Sequence, residues 1–222
     1  MTALECTLLT DGSSDRALAP ILEWLLRQNG AYPSRKIEWY DPSIYRRPPT
    51  TLWGRIDHAF EQFPCDLLFV HRDAEAEPYE AREKEIREAI ATSSITRSRP
   101  IPAVLVIPIR MMEAWLLFEE QCIRQAAGCP RGKVPLGLPK LTMTESLTDP
   151  KTLLHQSLRI ASERQGRHLK RFNVEAAIHR LAELVPDYGP LRKLSAFEML
   201  EHELCKVLFE NNWASGGKAP RR

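Results

Sequence analysis

Residues 66–75 read Asp-Leu-Leu-Phe-Val-His-Arg-Asp-Ala-Glu. The run from Asp66 to His71 is apolar and of strand length, as in a strand covered on both faces of a sheet, and Asp73 and Glu75 follow it at once. Two other runs behave alike: Leu4 to Thr10 leads into Asp11 and Asp15, and Val104 to Ile109 leads into Glu113. In an open parallel α/β sheet the carboxyl ends of the strands form the rim where ligands bind, so carboxylates from distant segments are expected to meet there. Close carboxylates repel by roughly 4 kcal/mol per pair at an effective dielectric near 20, which a bound Mg²⁺ or Mn²⁺ would offset.

Working outward, the helix after the first run spans about Asp15 to Gln28, with Leu18, Ile21, Leu22, Leu25 and Leu26 on one face and Asn29-Gly30 as its stop. Lys36 to Tyr40 is a weaker strand, 41–51 a Pro-bearing loop, and Leu52 to Phe63 a helix. Glu80 to Ala91 is expected as an exposed helix, Ala103 to Ile109 as a buried strand, and Met111 to Ala127 as an apolar helix. Strand alternating with helix predicts a parallel α/β sheet with right-handed crossovers. Three Gly and three Pro between Gly128 and Pro139 mark a connection. Beyond it the chain reads as helical, with Pro150 at a first helical position after Asp149, an amphipathic helix from Val174 to Leu184, and a helix from Ala196 to Phe209. The division expected is 1–127 for the α/β part, 128–149 for the connection, 150–212 for a helical part packed on the sheet, and 213–222 for a disordered basic tail.

Composition sets bounds. The chain has 222 residues, 43% of them hydrophobic, enough for one good-sized core, and a net charge of +2 that gives no whole-chain nucleic-acid signature. No run has the length of a membrane helix and the N-terminus lacks the order of a signal peptide, so no membrane association and a cytoplasmic location are expected. The five cysteines form no CxxC pair, which points to neither a disulfide framework nor a zinc site. A P-loop and a dinucleotide fingerprint are absent. His71-Arg72-Asp73 matches the start of a kinase catalytic loop, but the position of the required Asn is Pro78. A receiver-type phosphoacceptor domain would want an acidic pair after the first strand and usually about half this length.

Basic residues are local. Arg72 and Arg110 adjoin the acids and are candidates for holding a phosphate. Between Lys151 and Arg171 there are six basic residues, among them Arg164, Arg167, Lys170 and Arg171, against the single acid Glu163. Such a run either tracks a phosphate backbone or forms the solvated face of a helix.

The stretches LLTDGSSD (8–15) and LLFVHRDAE (67–75) resemble the acidic motifs of the Toprim fold, found in topoisomerases, primases and the overcoming-lysogenization-defect nucleases. VIPIRMMEAWLLFEE (106–120) is similar to the third signature of an uncharacterised stand-alone bacterial Toprim-like family, and LRKLSAFEMLEHEL (191–204) resembles that family's C-terminal helix. The resemblance implies a Toprim-like, Rossmann-like sheet and Mg²⁺- or Mn²⁺-dependent cleavage of DNA or RNA. It puts Asp11, Asp73 and Glu113 in catalytic positions, and Asp11, Asp15, Asp73, Glu75 and Glu113 at the metal, with Asp73 and Glu75 as main ligands. It also implies an ATPase partner and an effector role in bacterial defence, the alternative being a catalytically silent binding subunit of such a complex. Two positions depart from the pattern: Asp11 replaces Glu and reaches roughly 1.5 Å less far, and Glu75 replaces Asp.

Overall fold

Cys6-Thr7-Leu8-Leu9, Leu67 to His71 and Ala103 to Val106 are apolar on both alternating faces, and all three pair as parallel strands. The computed structural model describes residues 3–214. In chain order the elements are β1 Ala3–Leu4, β2 Cys6–Leu9, α1 Leu18–Gln28, β3 Tyr32–Pro33, β4 Glu38–Tyr40, α2 Leu52–Gln62, β5 Leu67–His71, α3 Tyr79–Thr92, α4 Ser94–Ser98, β6 Ala103–Val106, α5 Glu120–Ala126, α6 Pro150–Ala161, α7 Gly166–Lys170, α8 Val174–Leu184 and α9 Ser195–Glu210. The main sheet has four strands in the order β4-β2-β5-β6, all parallel, with Leu8 opposite Phe69 and Val70 opposite Leu105. It is an open, doubly wound sheet of the Rossmann-like kind.

Side chains alternate across a strand, so each strand feeds two cores. Leu8, Phe69, Val104 and Val106 face α1, α8 and α9, whereas Leu9, Leu68, Val70 and Leu105 face α2 and α3. Each buried Leu or Phe contributes about 1.5–3 kcal/mol. The first core draws on both ends of the chain, from Leu4 to Leu208, so the C-terminal helices close one face of the sheet rather than enclosing a core of their own. At the β6 edge Glu203 of α9 takes the free amide of Leu105 (3.1 Å), which blunts an exposed ladder.

The expected elements differ from the observed ones where a local bond intervenes. The run from Leu4 to Thr10 breaks at Glu5, whose amide is taken by the Asp66 carboxylate (2.9 Å), and the piece before the break pairs with β3. Ser13–Ala17 forms a 3₁₀ turn, and the α-helix proper starts at Leu18 with Pro20 in its first turn, where a missing N–H costs nothing. The helix expected over Met111 to Ala127 is a 3₁₀ turn at Met112–Leu116 followed, after a break, by α5. Six consecutive side chains from Met112 to Leu117 are buried there, and a regular surface helix would turn some of them to solvent. Trp213 and Ala214, assigned to the tail, pack against the first core, and 215–222 lie outside the described residues. All five cysteines are free thiols. Among the described residues no helix is long and apolar enough to cross a membrane.

Candidate active site

The strand order reverses at β2, whose neighbours β4 and β5 leave in opposite directions, so a crevice opens at the carboxyl ends of β2 and β5. The 3₁₀ turn after β2 delivers Asp15, the end of β5 delivers His71 and Asp73, and the 3₁₀ turn after β6 delivers Glu113. His71 is the hub. Its Nδ1 lies 2.9 Å from the carbonyl of Val106, which can only accept, so Nδ1 carries the proton. Its Nε2 then faces Asp73 Oδ1 at 3.6 Å and Asp15 Oδ2 at 3.8 Å.

Backbone amides hold both carboxylates in place. Met112 N–H donates to Asp73 Oδ1 (2.9 Å), and Gly12 N–H donates to Asp15 Oδ2 (3.0 Å) while Ser14 Oγ donates to Oδ1 (3.1 Å). Glu113 is 2% exposed, and the Lys151 ammonium at the start of α6 stands 3.7 Å from its Oε1. Burial pushes the Asp73 carboxyl up to about 7, opposed by His71 and reinforced by Asp15 and Glu113. Burial also raises Glu113, against the pull of Lys151. A carboxyl near neutrality inside a polar crevice suits proton transfer at ordinary pH.

The remaining acids stand apart. Asp11 is engaged by two guanidinium groups, Arg55 Nη1 on Oδ1 (2.6 Å) and Arg72 Nη1 on Oδ2. Glu75 adopts a left-handed backbone (φ 54°) opposite Arg110 (φ 66°), to whose carbonyl it donates its amide (2.9 Å). That conformation costs a non-glycine residue on the order of 1–3 kcal/mol. The Glu75 carboxylate is exposed and pairs with Arg82 (3.6 Å). The structure thus gathers Asp15, Asp73 and Glu113 and leaves Asp11 and Glu75 outside that group.

Among the candidate phosphate contacts, Arg72 bridges Asp11 and Glu85, and Arg110 donates to the Glu75 carbonyl (3.2 Å). Arg164, over the Phe172 ring at 5.1 Å, and Arg167, Lys170 and Arg171 are exposed. They follow the far end of α6, roughly 15 Å along its axis from Lys151. His71, Lys151 and Arg55 escape the motif reading. A signal exists for His71, a polar residue closing an otherwise apolar strand, but none marks Arg55 within its helix.

Among the described residues no three His, Cys, Asp or Glu side chains are drawn tightly enough together to hold an ion as they stand. The fit to a small divalent cation lies in donor type and spacing. Ligand atoms at about 2.1 Å from one ion stand between ~3 and ~4.2 Å apart, and the 3.6 and 3.8 Å separations at His71 Nε2 fall within that range. Asp15, His71 and Asp73 are therefore the residues that would hold such an ion, with Glu113 behind them. No protein-family model, curated protein or solved structure matches the chain.

Proposed function

We propose that the chain is a Toprim-like, Mg²⁺- or Mn²⁺-dependent phosphodiesterase acting on DNA or RNA. The observation that carries this reading is the convergence of Asp15, Asp73 and Glu113 around His71 at the switch point of the sheet. A bound divalent ion supplies charge compensation for the phosphate and lowers the pKa of an attacking water. Asp15 and Asp73 hold and orient it, fixed by the amides of Gly12 and Met112. Asp73, with its carboxyl raised to about 7, takes up or returns a proton within the crevice. Lys151 keeps Glu113 ionised despite its burial. Arg72 and Arg110 flank the crevice as phosphate-orienting groups, and the resemblance adds an ATPase partner and a role as a defence effector.

The test is cleavage or nicking of DNA and RNA substrates with Mg²⁺, Mn²⁺ or chelator. Asp73→Asn should abolish metal-dependent cleavage; undiminished cleavage by Asp73→Asn, or cleavage independent of metal, refutes the reading. A second reading, the silent regulatory subunit, is favoured by one observation: the two positions that depart from the Toprim pattern, Asp11 and Glu75, are both occupied by arginines. Binding of nucleic acid or partner without cleavage under any divalent ion would select it.

A further inference from the structure

The acidic group has at its centre a nitrogen that the carboxylate pattern does not explain. The His71 side chain is 2% exposed, and among the described residues its Nε2 makes no hydrogen bond. With Nδ1 protonated toward the Val106 carbonyl, a neutral ring turns its Nε2 lone pair toward the oxygens of Asp15 and Asp73. A lone pair set between two carboxylate oxygens repels both, and a cation shared by all three turns that repulsion into ligation. The anchoring is also that of metal-bound histidines, whose second ring N–H goes to a carbonyl or carboxylate and so fixes tautomer and orientation.

We propose that His71 Nε2 is a direct ligand, making this a mixed nitrogen and oxygen site that takes Mn²⁺ in preference to Mg²⁺. The inference rests on the metal reading of the acidic group. Mg²⁺ is bound by oxygen and parts reluctantly with its water, whereas an imidazole donor shifts preference toward first-row transition ions. The oxygen ligands alone would not discriminate in this way. Lys151 stands on the Glu113 side of the group, so it does not neutralise the pair of oxygens facing His71.

The full chain is titrated with Mn²⁺ and separately with Mg²⁺, and the Mn²⁺ form is examined by pulsed EPR for coupling to an imidazole nitrogen. Wild type should show the coupling and bind Mn²⁺ about tenfold or more tightly than Mg²⁺. His71→Gln should lose the coupling and about tenfold or more of the Mn²⁺ affinity, with Mg²⁺ affinity within about twofold of wild type. If His71→Gln does not fold, the wild-type coupling and ion preference decide the matter. Mn²⁺ bound without nitrogen coupling, or with coupling that survives in His71→Gln, overturns the assignment of His71 while the acidic metal site stands. Failure to bind either ion overturns both.

Discussion

Lys151 and Glu113 form an ion pair, at 3.7 Å, between the first turn of the C-terminal helical part and the turn that follows the last strand of the sheet. One partner is half-exposed and the other buried, so the lysine stem supplies a charge that solvent cannot deliver to Glu113. Lys151→Met should lower stability at pH 8 by roughly 1 kcal/mol, less than a fully buried pair would lose. The loss should shrink at pH 5, where the raised Glu113 carboxyl takes a proton, and the double variant with Glu113→Gln should recover it. Urea unfolding at the two pH values measures this.

The raised Asp73 carboxyl gives the metal-free protein a signed pH dependence. Between its ordinary value of 3.8 and about 7 the folded state binds the proton that the unfolded chain has released. Stability from this group is therefore fully present below the lower value and is lost as pH rises through the upper one. The expected loss across that window is on the order of a few kcal/mol. Asp73→Asn, which has no proton to release, should flatten the curve; an unchanged slope would assign the effect to other groups.

Two substitutions at Asp73 separate its charge from its hydrogen bond. Asn keeps an acceptor for the Met112 amide and removes the charge, so without metal at pH 8 it should melt at or above the wild-type temperature. Ala leaves that amide without its partner and should cost about 1–2 kcal/mol. Mn²⁺ at about a hundred times its dissociation constant should stabilise wild type by roughly 2.7 kcal/mol and leave both variants unmoved. Calorimetry of the three proteins with and without ion gives the comparison.

The exposed basic cluster beyond α6 offers a test of substrate binding that leaves the crevice untouched. Changing Arg167, Lys170 and Arg171 to Glu should weaken nucleic-acid binding and lower the salt slope by up to about 0.9 for every phosphate that is no longer neutralised. Cleavage at saturating substrate should be unchanged, since these side chains stand away from Asp73. An unaltered salt slope would make the cluster a solvated face and no more.

How far the sequence foretells this arrangement depends on the reach of each interaction. The apolar strands and the helices with side-chain caps, such as Asp149 before Pro150 and Asn173 before Val174, are local and read directly. The 3₁₀ turn at Met112–Leu116 is not, because its shape comes from burial on every side and from the amide bond to Asp73, 39 positions away. The same limit applies to the acids. Spacing brings five carboxylates to one rim, but only the fold reveals that arginines hold Asp11 and Glu75 while Asp15, Asp73 and Glu113 remain together. Arg55, 44 positions from Asp11, has no local signature at all.

The first core takes Phe197, Leu200, Leu204 and Leu208 from α9, the sixteen-residue helix near the end of the described chain. A nascent chain still lacking that helix therefore carries Leu8, Phe69 and Val106 on an uncovered sheet face, and before α6 emerges it has no Lys151 to balance Glu113. Synthesis and completion of the crevice are coupled, so that whatever chemistry resides there is withheld until nearly the whole polypeptide has been made.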